Sequence, residues 1–237
     1  MAKARKWEQI AHTLRQQILS GKLKPGQDFP TNLELMKMFE VHAATIQQAV
    51  NALIAEGLVV SAGSSSARRT VYKPPERSVR AGGFLTEAGE QGKQEVLQLK
   101  LLDTLDNVPE AVRKQLNAPA LLYRTRQWKN GVAVAVSESY LPGILPLKAF
   151  EKKLADPSVE LYNLMKKHGF NPVTCRESLI ASPPTQEEQE ILQMPRLTTW
   201  PVVRITRLVY DPDGNVLEYC LLTDRADCYE FVYEFNL

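Results

Sequence analysis

Residues 29–57, FPTNLELMKMFEVHAATIQQAVNALIAEG, decide the fold because they predict two helices joined by a tight turn. Thr31 followed by Glu34 is a capping box, in which a hydroxyl and a carboxylate satisfy the free N–H groups of a helix start. The turn falls at 40–41. The second helix has apolar residues at the i, i+3, i+4, i+7 and i+8 spacing of one buried face, and Gly57 is a typical C-terminal cap.

The opposite face of the second helix is polar and carries no carboxylate. It presents Ala44, Gln48 and Asn51, with Thr45 and Gln47 at its edges. Amides and hydroxyls meet base edges in the major groove of DNA, and a helix of this kind can lie there. A two-helix hairpin in the core of some other globular protein is the alternative, and these residues alone leave both open.

The flanks of this stretch favour a DNA-binding head. An apolar stripe predicts a preceding helix, and strands at 58–60 and 69–72 predict a hairpin with a flexible tip at 63–67. Residues 1–75 hold ten lysines and arginines against five acids, whereas the remainder holds 19 against 22. Three helices followed by a basic hairpin make a winged helix-turn-helix.

Composition limits the class of protein. The chain has 237 residues, 44% hydrophobic and 24% charged, with a net charge of +2, which suits two modest globular domains. Cys175, Cys220 and Cys228 are too few and too widely spaced for a disulfide framework or a zinc site. No apolar run approaches 18 residues and no signal peptide is evident. We expect a cytoplasmic protein with no membrane segment, metal or other cofactor.

The remainder of the chain predicts an α+β domain. The turn signals at 130–131 and 213–214, Asn-Gly and Asp-Gly, are typical of β-hairpins. An antiparallel sheet covered by helices is the expected architecture. The predicted strands are 96–102, 121–128, 132–140, 173–182, 202–210, 216–223 and 231–235, and the predicted helices are 109–116, 145–154, 159–168 and 185–192.

A change of composition at 74–83 predicts a linker. Paired prolines are followed by paired glycines, which gives a partly extended and partly flexible segment of the kind found at domain boundaries. The predicted domains are therefore residues 1–73, the winged helix-turn-helix, and residues 84–237, the α+β domain.

Charged residues in the first predicted hairpin suggest a ligand site. Arg124 and Arg126 alternate onto one face of their strand, where two arginines can bind phosphate or carboxylate. Glu138 on the neighbouring strand could accept hydrogen bonds from hydroxyl or amine groups of the ligand. The alternative is a solvated face on which the arginines pair with Glu138 or Glu218.

Turn, cap and core residues of the head form one specific pattern. The pattern comprises ILSGKLKPGQDFP at 18–30, Leu35, Phe39, Val41, Thr45, Ala49 and LIAEGLV at 53–59. It resembles the GntR family of bacterial repressors. The resemblance implies a DNA interface formed by Thr31, Asn32, His42, Ala43, Thr45, Gln47, Gln48, Arg68, Arg69 and Thr70.

The head departs from that family at positions that bear on base recognition. Leu33, Ala43 and Gln47 stand where arginines are usual, so arginine–guanine pairs are largely missing. We expect an operator unlike the family's common one. Arg68 and Arg69, at the wing, should carry more of the phosphate or minor-groove contact than usual.

The second domain carries a likeness of its own. The residues concerned are Phe84, Thr86 and the runs YRTR, SESYLP, ELYNLMKKHG and DRADCYEF, which begin at 123, 137, 160 and 224. They resemble the UTRA ligand-sensing domain of the HutC subfamily, which is similar in fold to chorismate lyase. Asp224 and Cys228 stand where many sugar-phosphate sensors have tyrosine and arginine, so another small anion is expected. The resemblance implies an effector cleft lined by Thr86, Arg124, Arg126, Glu138, Arg176, Glu218 and Asp224.

These observations predict a homodimeric transcriptional regulator, and we favour a repressor. It would bind a palindromic operator on double-stranded DNA and respond to a small anionic effector. We do not expect an enzyme, because His12, His42 and His168 are scattered and no nucleophile–base motif or Gly-rich phosphate loop occurs. A chorismate lyase-like enzyme fused to a DNA-binding head is the alternative. A third reading is a regulator whose sensor pocket is vestigial.

Overall fold

Three helices and a two-stranded sheet form the amino-terminal part of the computed structural model, which describes residues 5–61, 68–73, 77–79, 83–194 and 200–234. The predicted wing tip at 63–67 lies outside these residues. The elements are α1 Lys6–Leu19, α2 Asn32–Phe39, α3 Ala43–Ala55, β1 Val59–Ser61 and β2 Arg69–Val71. The order confirms the predicted three helices followed by a hairpin.

The turn between α2 and α3 forms as the sequence predicts. The Thr31 hydroxyl accepts a hydrogen bond from the backbone N–H of Glu34 at 3.3 Å, and the Glu34 carboxylate accepts one from the backbone N–H of Thr31 at 2.7 Å. Glu40 ends α2 in the left-handed conformation, with φ of 51°, which turns the chain sharply into α3. The buried face of α3 is the predicted one: Ile46, Ala49, Val50, Leu53 and Ile54.

A six-stranded antiparallel sheet forms the centre of the second part of the chain, with the strand order β4-β5-β6-β9-β8-β7. The two predicted hairpins, β5-β6 and β8-β9, meet in the middle of this sheet, where β6 pairs with β9. The strands are β4 Gly92–Leu102, β5 Ala120–Lys129, β6 Val132–Pro142, β7 Thr174–Ser182, β8 Val202–Tyr210 and β9 Val216–Arg225.

Helices pack against both faces of the sheet. We call inner the face that carries Tyr123 and packs on helices α6 and α7, and outer the face that carries Tyr140 and packs on α5. The buried Phe150 and Met165 fill the inner side, and Val112 fills the outer side. The helices are α4 Phe84–Ala88, α5 Glu110–Arg113, α6 Leu147–Leu154, α7 Leu161–Lys167 and α8 Gln186–Ile191.

The described residues fall into two compact units. The first comprises Met1–Pro75 with Met194–Trp200, and the second comprises Glu76–Gln193 with Pro201–Leu237. The second unit therefore contains the whole six-stranded sheet and helices α4 to α8.

A short parallel pairing corrects two sequence predictions. Strand β3, Ser78–Val79, lies within the predicted linker and pairs with β10, Tyr229–Glu230. Its anchor is the Ser78 N–H, which donates to the Cys228 carbonyl at 2.9 Å. The strand predicted at 231–235 is wrong over its described residues, because the last strand ends at Glu230. Linker residues 74–76 and 80–82 lie outside the described residues.

Replacing Ser78 by proline should release β3 from the second unit. Proline has no N–H and cannot donate to the Cys228 carbonyl, a loss of about 0.5–1.5 kcal/mol. Hydrogen exchange measured by mass spectrometry should show faster exchange at 77–79 and at the β10 residues. Ser78→Ala, which keeps the N–H, is the control. Equal exchange in the wild type and the proline variant would show that β3 does not hold this segment in solution.

Candidate DNA interface and effector site

The polar face of α3 is exposed, as a groove-reading helix requires. Gln47, Gln48 and Asn51 are exposed and Thr45 is half-buried. His42 is the N-cap residue, but its side chain makes no capping hydrogen bond. The first N–H groups of this helix can therefore bind a DNA phosphate, which the helix dipole also favours.

A hydrogen-bonded chain of side chains connects the wing to α3. The Arg69 guanidinium on β2 donates to the Asn32 Oδ1 at 2.7 Å, and the Asn32 amide donates to the Gln47 Oε1 at 3.2 Å. The Gln47 amide in turn donates to the Asn51 Oδ1 at 2.8 Å. The orientation of Gln47 is therefore set by residues from three different elements.

The two wing arginines have different surroundings. Arg68 is exposed and pairs with Asp28 at 3.3 Å. An exposed ion pair is weak, so this guanidinium can exchange its partner for a DNA phosphate. Arg69 is only 8% exposed, and burial lowers its pKa below the ordinary value. The sequence analysis predicts that both contact DNA; in the structure Arg69 is hydrogen-bonded to Asn32, through which it can position Gln47.

Of the remaining predicted interface residues, two lie at the surface near the start of a helix and one lies on β2. Thr31 precedes α2 and is exposed, but its hydroxyl is bound to the Glu34 carboxylate at 2.8 Å. Ala43 begins α3 and is also exposed. Thr70 is half-buried on β2 and forms an isolated bridge with Asp28.

The two wing arginines should give different phenotypes when replaced by alanine. Arg68→Ala should weaken binding to all DNA sequences and reduce the salt slope by about 1 unit, because one phosphate contact is lost. Arg69→Ala should leave the salt slope unchanged and relax base preference, because Gln47 loses its support and a bidentate amide contact discriminates by about 1–3 kcal/mol.

Anisotropy titrations with operator and scrambled DNA at several salt concentrations measure both effects. Gln47→Ala is the matched control for the change in base preference. A salt slope reduced equally by both arginine variants would contradict the positioning role and restore Arg69 as a phosphate contact.

The register of the sheet divides the predicted effector residues. Glu138 lies opposite Arg124 on β5 and opposite Leu221 on β9, so Glu218, three residues from Leu221, belongs to the other face. The prediction that the two glutamates share one cleft is therefore wrong. The outer face carries Arg124, Arg126, Glu138 and Arg176. The inner face carries Glu218 and the buried Asp224, and Thr86 is exposed on α4.

The outer arginines bind carboxylates of the chain itself. Arg124 lies 3.6 Å from the Glu138 carboxylate and 3.4 Å from that of Glu187 on α8. Arg126 binds the Glu95 carboxylate at 2.6 Å. This is the alternative that the sequence left open, with the arginines paired to acids on one face, although Glu218 is not among the partners.

Two arginines bind the end of α8. Arg126 donates to the Ile191 carbonyl at 3.1 Å, and Arg225 donates to the Leu192 carbonyl at 3.5 Å. The last carbonyls of a helix lack partners within the helix, and cations there are favourable. Arg204 adds an ion pair with Glu188 at 2.5 Å. The outer arginines therefore hold α8 against the sheet.

An outer cleft of about 420 Å³ lies beside these pairs. Its volume is within the usual range for small-molecule sites. However, its two arginines, Arg124 and Arg204, each face a carboxylate, so the cleft has no excess of positive charge for an anion. Arg176 lines a neighbouring groove instead, together with Thr206 and Tyr219.

An inner cavity lies between the sheet and helices α4 and α7. Its centre is Glu218, which is 2% exposed. One carboxylate oxygen accepts from the Ser139 hydroxyl at 2.5 Å, and the other accepts from the Tyr162 hydroxyl at 2.7 Å. The cavity has a volume of about 50 Å³. The residues that line it are Gly83, Phe84, Gln94, Tyr123, Gln127, Ser137, Ser139, Glu160, Leu161, Tyr162, Arg207, Glu218, Cys220 and Leu222.

Arg207 completes the polar network of this cavity. It is 5% exposed, donates to the Tyr162 hydroxyl at 3.2 Å, and binds the Glu177 carboxylate at 2.7 Å. Burial lowers the pKa of Arg207, but Tyr162, Glu218 and Glu177 raise it by more, so the guanidinium stays protonated. The buried cation is thus held by groups of the chain itself.

The tyrosines of the cavity are neutral at ordinary pH. Burial, together with the negative charges of Asp156, Glu160 and Glu218, raises the pKa of Tyr123 to about 12. Burial and Glu218 also hold the pKa of Tyr162 well above its usual value. Burial is the larger cause of both shifts, and the nearby carboxylates add to it.

Sequence reasoning missed most of the inner cavity. Gln127 directly follows Arg126 and Ser139 directly follows Glu138, so each lies on the opposite face of the sheet from the residue that was predicted to bind the effector. Tyr162 lies in the run that begins at 160, but no role was predicted for it. Gln127 is 5% exposed, and its Oε1 has no hydrogen-bond partner among the described residues. A buried acceptor without a donor is uncommon and marks a site where a ligand or water can bind.

A winged helix-turn-helix joined to an α+β domain with an internal polar cavity defines a ligand-sensing transcriptional regulator. Residues 6–68 match the family model described as bacterial regulatory proteins, gntR family, and residues 87–230 match the UTRA domain. The chain therefore belongs to the GntR family of bacterial regulators, in the HutC subfamily that carries a UTRA domain.

Curated relatives agree with this assignment along nearly their whole length. The transcriptional repressor NagR of Bacillus subtilis is 26% identical, with 95% of this chain and 92% of that protein covered. The transcriptional regulator GgaR of Escherichia coli is 27% identical, with 95% and 89% covered. Both are named as transcriptional regulators, which together with the family match argues against the chorismate lyase-like alternative.

A solved structure shares the fold. PhnF from Mycobacterium smegmatis superposes with a TM-score of 0.59 at 22% identity, covering 96% of this chain and 99% of that one. Within the described part of the chain, no helix has the length and apolar character needed to cross a membrane.

Proposed function

We propose that this regulator is a repressor whose operator binding is modulated by a small molecule bound in the inner cavity. The observation that carries the proposal is the buried Glu218 network, which surrounds a cavity and leaves the Gln127 carbonyl without a partner among the described residues. The names of two relatives, the repressors NagR and MngR, support the sign of regulation.

The inner cavity is a better effector site than the outer cleft. The outer cleft has the larger volume, which supports it as the second candidate. Its arginines, however, hold α8 and their own carboxylates. An anion bound there would have to replace these partners, whereas a ligand of the inner cavity would satisfy an acceptor for which the described residues provide no donor.

The proposed repressor acts as a homodimer on a palindromic operator. One head presents one recognition helix, and a winged helix-turn-helix gains affinity and specificity when two heads read half-sites about one helical turn apart. The UTRA domain is the proposed dimer contact, since most of the exposed large apolar side chains among the described residues, such as Ile144 and Ile180, lie in it.

Sedimentation equilibrium should therefore show two chains per palindromic operator. The free protein should also sediment as a dimer at micromolar concentration, because the proposed contact does not need DNA. A half-site duplex is the matched control and should bind with much lower affinity. A monomer in both the free and the bound state would contradict the dimer and the palindrome together.

Glu218→Gln should abolish the effector response and leave operator binding intact. The amide keeps the size of the side chain but removes the charge that Tyr162 and Ser139 hydrogen-bond. The measurement is an operator titration by anisotropy, with and without a low-molecular-weight extract of bacterial cells. The extract should weaken operator binding by the wild type and have no effect on the variant.

The double variant Arg124→Ala, Arg126→Ala is the matched comparison for the outer cleft. It should lose thermal stability, because two of the arginines that hold α8 are removed, but keep its response to the extract. A lost response in this variant, together with a retained response in Glu218→Gln, would place the effector in the outer cleft and restore the arginines as an anion site.

A further inference from the structure

The inner cavity has a charge balance that restricts its ligand. Two carboxylates, those of Glu160 and Glu218, belong to its lining. Within the described part of the chain, Arg207 is the one cation that lines it, and its guanidinium binds Glu177 and Tyr162. A ligand therefore meets negative charge that Arg207 does not neutralise.

The cavity also contains a buried acceptor that the described residues leave unpaired. The Gln127 Oε1 has no partner among the described residues. The Tyr123 hydroxyl donates to Gln94 at 3.3 Å, and the Tyr162 hydroxyl donates to Glu218 at 2.7 Å, so both phenol hydrogens are used within the chain. A ligand hydroxyl or amine can supply the hydrogen that the Gln127 Oε1 needs.

Glu160 supplies a further acceptor at the cavity wall. One of its carboxylate oxygens accepts from the Asn163 N–H at 2.7 Å and caps α7. The other faces Gly83, where a Cβ atom would approach it to 2.5 Å. Gly83 therefore lets this oxygen pack close against the backbone at the cavity wall.

We propose that the inner cavity binds an uncharged or cationic compound through hydroxyl or amino hydrogens, and that it rejects phosphate and carboxylate groups. This ligand class rests on the proposed function of the cavity as the effector site. An anionic group would lie beside two carboxylates in a poorly solvated site, which is unfavourable, whereas an ammonium group would balance their charge.

The dimensions of the cavity limit which part of the ligand enters it. The cavity volume of about 50 Å³ is enough for a few waters or one small polar group. The amino- or hydroxyl-bearing end of the effector therefore occupies the cavity. A bulkier remainder has to displace Phe84 or Tyr162, and so moves α4 or α7.

Four compounds on one three-carbon skeleton test the proposed charge preference: serinol, glycerol, glycerate and glycerol 3-phosphate. Two measurements are made on the full chain, each with the compound at about 10 mM. The first is the thermal melting temperature, and the second is operator binding by anisotropy. Serinol should raise Tm by about 2 °C or more, glycerol by less, and the two anions not at all. Glu160→Gln and Glu218→Gln should each reduce the serinol effect, and Glu187→Gln, on the outer face, is the control.

Each outcome decides a separate claim. A Tm rise with glycerate or glycerol 3-phosphate equal to that with serinol would overturn the charge preference, and so would no rise with any compound. A serinol effect unchanged by both inner-cavity variants would overturn the assignment of the site. Stabilisation by serinol without any change in operator affinity would uphold the ligand class and refute the proposed effector function.

Discussion

The pairing of β6 with β9 is the constraint on which the chemistry of the second unit depends. Side chains alternate along a strand, so a shift of one residue in this register would move every polar side chain to the opposite face. The observed register places Ser139 opposite Cys220 and Glu138 opposite Leu221. It therefore puts Glu218 beside Ser139, beneath α7, and leaves Arg124 and Glu138 on the other side.

Each face then uses its charges for a different purpose. On the outer face, arginines of β5, β8 and β9 join the sheet to α8 through ion pairs and carbonyl contacts. On the inner face, a carboxylate and a guanidinium are buried within a network that includes Tyr162. Buried charges are costly unless they are well hydrogen-bonded, so such a network is expected to be rigid and specific.

Local signals in the sequence predicted the elements well. The capping box at Thr31 and the 3.6-residue periodicity located the head helices, and the Asn130-Gly131 turn located a hairpin. Strand alternation also showed that Arg124 and Arg126 share a face. It did not show which face the helices cover, because that depends on contacts between residues distant in the chain. The two-residue pairing of Ser78–Val79 with Tyr229–Glu230 was missed for the same reason.

The hydrogen bonds that link the side chains from Arg69 to Asn51 limit the exchange of recognition helices between regulators of this fold. Gln47 is oriented by Asn32 on α2 and, through it, by Arg69 on the wing. A graft of α3 alone into another head would carry Gln47 without Asn32 and Arg69, the two residues that orient it. Transfer of this DNA preference to a new scaffold thus requires a set of residues that is discontinuous in sequence and continuous only in space.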